Sequence, residues 1–125
     1  MKEIESLFQR AKKYVSSADL LLKAKDFESS VSRSYYAMFF VAEAALLSRN
    51  VAASSHKGVI AEFNRVFIRG GELPNELGRS LAVAFEKRQL GDYEATPVIS
   101  REEARAVLAE AKKFVKRLAA FLGQK

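Results

Sequence analysis

The sequence predicts an all-α protein, an antiparallel bundle of about five helices. Two observations predict it directly. Apolar residues recur at spacings of three and four along most of the chain, the signature of helices with one buried face. These stretches are bracketed by helix starts and stops, Asp26, Ser55, Pro74 and Ser100 on one side and Gly70, Gly71 and Gly123 on the other. A third is negative: no run alternates apolar and polar residues as a half-buried strand does. The 125 residues suit one domain spanning residues 1–125. A chain of this length buries roughly two-thirds of its unfolded surface, enough for a core without cross-links.

The first helix is expected from about Lys2 to Lys25. Ile4, Leu7, Phe8, Ala11, Val15, Ala18 and Leu22 form its apolar face, while Glu5, Gln9, Lys12 and Lys13 face away. Asp26 then caps the second and central helix, Phe27 to Leu47. This segment has no Gly or Pro and is apolar on most of its circumference, as expected of a helix buried among others or shared with a second chain. Its length, roughly 30 Å at about 1.5 Å per residue, would match a bilayer core. Glu28, Arg33 and Glu43 within it argue against a membrane span. Its aromatic surface exceeds what four short neighbours need to cover, so Tyr36, Phe39 and Phe40 are candidates for an interface with a second copy.

Ser54 or Ser55 caps the third helix, with Val59, Ile60, Phe63, Val66 and Phe67 inward and Gly70-Gly71 as its stop. Pro74 opens the fourth, whose stripe is Leu77, Leu81, Ala84 and Phe85, with Gly91 and Pro97 marking its exit. The last begins at Ser100 with Glu103 three residues on, a capping box. Acidic residues lie early in it and Lys112, Lys113, Lys116 and Arg117 late, as the helix dipole favours.

Composition narrows function. The chain has no Cys and one His, which excludes disulfides, thiol chemistry and cysteine metal sites; no metal ligand set and no cofactor motif is present. A formal charge of +6 suits an anionic partner such as nucleic acid, nucleotide phosphates or an acidic protein. Residues Met1 to Lys13 are charged and helically periodic, unlike a secretory leader, so the default location is the cytoplasm.

Arg88 is the most informative residue. It stands where the apolar stripe of the fourth helix should continue, so its charge needs a partner or a ligand. Asp92 is one turn on and suits an ion pair; a phosphate suits the planar guanidinium equally well. His56 falls in the first turn of the third helix, where the dipole favours neutral imidazole, a form that can act as a general base or simply hydrogen-bond its surroundings. If short loops make neighbouring helices antiparallel, His56 lies near Arg88, Asp92 and Tyr93, and Arg33 lies toward the opposite end. Tyr35 and Tyr36 read as core residues with tied hydroxyls, or as a stacking platform for bases, and Arg33 as their buried organiser.

Four pieces come in a recognisable order: Ser32-Arg33-Ser34-Tyr35-Tyr36-Ala37-Met38-Phe39; Ser55-His56-Lys57-Gly58-Val59-Ile60 with Phe63; Arg88-Gln89-Leu90-Gly91-Asp92-Tyr93; and a final helix with Ala111, Phe114 and Val115. Together they resemble a HEPN domain of the small stand-alone prokaryotic type, from Ala11 to Leu122. The resemblance implies a five-helix bundle, usually a homodimer, that acts with a minimal nucleotidyltransferase as a toxin–antitoxin or similar two-component system. It also implies a motif in many members, Arg, a short polar spacer and His, that cleaves RNA without metal. Arg88 matches the motif Arg, but Asp92 and Tyr93 stand where the polar residue and His belong, and a tyrosine is a poor base at neutral pH.

The reading that follows leans away from an enzyme. It is a non-catalytic module that binds nucleotide, RNA or its nucleotidyltransferase partner through Arg88, Asp92 and Tyr93, with Arg33 and Tyr36 nearby. One alternative is a metal-independent ribonuclease in which His56 replaces the missing histidine beside Arg88. Another is a structural helical homodimer without ligand.

Overall fold

The computed structural model describes residues 2–93, 96 and 98–124, with Tyr93 described by its backbone alone. Five α-helices make up the fold: α1 (Lys2–Lys23), α2 (Phe27–Leu47), α3 (His56–Phe63), α4 (Asn75–Tyr93) and α5 (Arg101–Phe121). α3 continues directly into one π-helical turn, Asn64–Ile68. No described residue is in a strand. Among the described residues, no helix is long and apolar enough to cross a membrane.

The caps are where residue chemistry puts them. Asp26 accepts a hydrogen bond from the Ser29 amide at 3.3 Å and opens α2. Ser55 accepts from the Gly58 amide at 2.9 Å. At α5 the Glu103 amide donates to Ser100 Oγ while the Ser100 amide donates to Glu103 Oε1, the reciprocal pair expected of a capping box.

α2 is the axis of the bundle, and Val31, Tyr35, Met38, Val41 and Ala45 are fully buried along it. α1 packs antiparallel to it. Ser30 Oγ donates to the Ala18 carbonyl at one end, and the Tyr14 and Phe40 rings meet at 5.0 Å further along. α5 runs antiparallel to α1 and α4 antiparallel to α5, the latter shown by Lys87 on Glu103 and Ser80 on Glu110.

α3 breaks the alternating pattern. The eight residues 48–55 can span about 26 Å when extended. They return alongside α2, so that His56 sits at the level of Tyr35, Tyr36 and Phe39. That point lies about 18 Å back from the end of α2, at about 1.5 Å per residue. From there α3 climbs parallel to α2. Phe63 meets Phe114, and Phe67 meets Phe121 and the Arg49 guanidinium. A two-pronged Arg49–Glu72 ion pair, 2.6 and 2.8 Å, then ties the loops following α2 and the π turn.

Two expectations change. Gly91 does not end α4, which runs on to Tyr93. A Cβ at Gly91 would sit 3.3 Å from Cβ and Cγ of Glu28, so the glycine permits close approach of α4 to the start of α2. Pro97, the other expected exit signal, lies outside the described residues. Phe39 and Phe40, expected at an interface with a second copy, are covered within the chain at 9% and 8% exposure. His56 stacks on Phe39, while Tyr14 and the Arg10 guanidinium cover Phe40.

Candidate functional site: an aromatic box beside Arg88

The site lies where the middle of α2, the start of α3 and the end of α4 converge. α2 supplies Tyr35, Tyr36 and Phe39 from neighbouring positions on one flank. The returning 48–55 segment delivers His56, and α4 delivers Phe85 and Arg88 one turn apart. His56 is stacked on Phe39 at 4.5 Å and on Tyr35 at 5.7 Å, with Phe85 at 6.2 Å and the Tyr36 edge at 5.6 Å. The histidine ring is thus boxed by four aromatic side chains.

One polar contact runs through the box. The Tyr35 hydroxyl and His56 Nδ1 are 2.7 Å apart. Burial raises the pKa of Tyr35 above the usual phenol value, opposed by the nearby Arg88 charge, so the hydroxyl keeps its proton. Burial, and secondly Arg88, lower the pKa of His56, so the imidazole is neutral at pH 7. Among the described residues Nδ1 is the one hydrogen-bond partner of the Tyr35 hydroxyl. Donation from that hydroxyl to Nδ1 satisfies the buried proton and assigns the hydrogen of the ring to Nε2.

Arg88 covers the outer side of the box. Its guanidinium carbon lies 5.3 Å from the Tyr36 ring centre and 5.9 Å from that of Tyr35, contacts worth about 0.5–2 kcal/mol each depending on desolvation. Asp92 Oδ2 is 3.1 Å from Arg88 Nε, as the one-turn spacing predicts. That oxygen lies off the N–H axis, however, and among the described residues Nε stays buried without an aligned hydrogen bond. Glu28 Oε1, on the residue that abuts Gly91, is likewise buried and has no hydrogen-bond partner among them. The seam between α2 and α4 therefore holds one unsatisfied donor and one unsatisfied acceptor, groups that cost about 1–3 kcal/mol each when left unmade.

His56 and Arg88 come together as the topology argument expects, both within 6 Å of the Tyr35 ring. Asp92 joins them through the ion pair. Tyr36 forms part of the wall. The side chain of Tyr93 lies outside the described residues. Arg33 departs from its expected place: it is exposed rather than buried, and its guanidinium lies 4.8 Å over Tyr14. Nor is it at the opposite end, since the Tyr14 ring is 6.3 Å from Tyr36. The cause is the returning 48–55 segment, which brings α3 to the first half of α2. Tyr35 has the tied hydroxyl expected of it, but His56 as its partner and the part of Phe85 in the box were not singled out in the sequence, because side chains on three helices meet there and periodicity describes one helix at a time. Among the described residues no three His, Asp or Glu side chains cluster as a metal site would require.

A helical bundle with an arginine at the end of its fourth helix, aimed across an aromatic wall, defines the class. The HEPN domain pattern matches residues 4–121, and the chain belongs to the HEPN domain family. The chain is similar to UPF0332 protein glr0978 of Gloeobacter violaceus, 38% identical over 98% of both chains. It is also similar to two proteins of Methanocaldococcus jannaschii. One, named "Putative toxin MJ0142", is 33% identical over 97% of this chain and 82% of its own length. The other, named "Putative toxin MJ0605", is 34% identical over 94% and 87%.

Proposed function

We propose that this HEPN protein is the toxin-like member of a two-component pair and works as a non-catalytic binding module. In this reading Arg88 takes an anionic group, a phosphate of RNA or nucleotide or an acidic group of a nucleotidyltransferase partner. Asp92 holds the guanidinium until the ligand arrives, Tyr36 supplies the wall, and Arg33 and the α4 end that carries Tyr93 are the further binding positions. A second copy of the chain completes the cleft. The observation that carries the reading is Arg88, its guanidinium over two tyrosines and its buried Nε lacking an aligned acceptor among the described residues. The names of the two M. jannaschii relatives support the toxin-like role.

The ribonuclease alternative asks His56 to accept a proton. Its Nδ1 is occupied by the Tyr35 hydroxyl, and the tautomer assigned above leaves Nε2 as a donor. That favours binding over general-base chemistry.

The test is a labelled RNA, and separately the co-purified gene neighbour, titrated with wild type and Arg88→Ala. The reading expects intact RNA throughout and roughly 10- to 100-fold weaker binding of RNA or partner by the variant, the scale of a lost charge-assisted hydrogen bond. Cleavage to a cyclic phosphate that disappears in both Arg88→Ala and His56→Ala would replace this reading with the ribonuclease. Equal binding by Arg88→Ala would end it.

A further inference from the structure

A second surface lies on the far side of α5 from the α4 contacts. α1 and α5 are antiparallel, and two hollows lie in line along their seam. One, about 310 Å3, is floored by Val15, Val115 and Ala119 and walled by Lys12, Lys112 and Lys116. The other, about 320 Å3, is lined by Asp19, Leu22, Lys23, Arg101 and Arg105. Every lysine and arginine of the two hollows is exposed.

On α5, Glu102, Glu103 and Glu110 line the groove facing α4, with Lys113 and Arg117 further along the same side, whereas Arg101, Arg105, Lys112 and Lys116 line the hollows facing α1. Among the described residues Asp19 is the single acidic residue lining the two hollows. It is already engaged, 2.9 Å from Lys23 and 4.0 Å from Lys112, and these lysines lower its pKa. A surplus of positive charge therefore stands on the α5 wall, from Arg101 and Arg105 to Lys116, above an aliphatic floor.

We infer that the α1–α5 seam is a docking groove for an acidic amphipathic helix of a partner protein. The floor decides the class of partner. Valine, leucine and alanine offer nothing for a base to stack on, and the hollows have no aromatic lining, so a nucleic acid would meet only the cations. A helix with an aliphatic stripe flanked by Asp or Glu meets both the floor and the walls, the groove-binding mode of amphipathic helices. From Arg101 to Lys116 the seam runs about 22 Å at about 1.5 Å per residue, which matches a partner segment of about four turns. This surface is independent of Arg88.

The probe is a labelled synthetic helical peptide with Leu on one stripe and Glu on both flanks. Fluorescence anisotropy measures its binding, and amide chemical-shift mapping locates it. Binding is expected to perturb Val15 to Lys23 and Arg101 to Ala119. It should weaken at least roughly tenfold between about 50 and 500 mM salt, as screening requires. Lys112→Gln/Lys116→Gln, two exposed changes, should cost about tenfold, with the helical circular dichroism unchanged, while Arg88→Ala binds like wild type. The inference is overturned if the peptide does not bind or maps elsewhere. It is equally overturned if a peptide of the same charge with its leucines scrambled binds as well, or if a uridine oligonucleotide binds the seam more tightly.

Discussion

Tyr35 is fully buried, yet its hydroxyl carries the one polar contact that organises the site. A phenol in a core needs a partner, and His56 Nδ1 supplies it at 2.7 Å. The consequence is measurable without any ligand. Nitrogen NMR of His56 should show the neutral ring with its proton on Nε2, and Tyr35→Phe should mix the tautomers. A ring protonated on Nδ1 in the wild type would contradict the assignment. The pH dependence follows from the lowered folded pKa of His56. The unfolded chain then binds the proton more tightly, so the contribution of His56 to stability is complete above the unfolded value of about 6.5. It declines as pH falls through that value toward the folded one. Urea midpoints measured from pH 7.5 downward should show this slope, and His56→Gln should flatten it in that window.

At the scale of elements, α5 depends on its first turn. The Ser100–Glu103 box satisfies two backbone amide donors at once, and Glu103 also accepts from Lys87 of α4 at 2.6 Å. Ser100→Ala should therefore cost about 1 kcal/mol, the usual worth of such a cap, read as a lower urea midpoint with an unchanged slope. The box was legible in the sequence, as were α2 at both ends and the start of α3, because caps are local chemistry. The end of α4 was not. A glycine late in a helix reads as a stop, and only the packing of Glu28 against Gly91 reveals that it serves close approach between helices instead. The parallel course of α3 was equally hidden. An eight-residue connection can turn or return, and the stacking of His56 on Phe39 fixes which.

For the whole molecule, one continuous apolar core joins two aromatic groups, the one from Phe39 beneath His56 and the one from Phe63 to Phe67 beneath Arg49. Phe63 is fully buried between Phe67 and Phe114, so Phe63→Ala should destabilise by about 3–5 kcal/mol, a large share of the stability of an ordinary domain, read as a lower urea midpoint. Acid should loosen the bundle too. The Lys87 ammonium, with help from the Ser100 amide, holds Glu103 down to about 2. A carboxylate whose folded pKa is depressed stabilises fully above the unfolded value and loses that contribution as pH falls to the folded one. Thermal melts should accordingly fall from about pH 5 toward pH 2, and Glu103→Gln should give a shallower decline than wild type.

The sequence by itself determined the helices, their caps, the buried stripes and the anomaly of a charged Arg88 in line with leucines. It determined these because capping and periodicity depend on residues within a few positions of one another. Tertiary structure alone decided which side chains meet: His56 on Tyr35, Arg88 on Tyr36, Glu28 on Gly91, and cations gathered along one flank of α5. Those meetings join residues far apart in the chain, the last of them Lys12 and Val15 of α1 with Lys112 and Lys116 of α5 rather than every cation of that helix. Their geometry follows from how an eight-residue connection returns and how closely two helices approach, which no local pattern encodes.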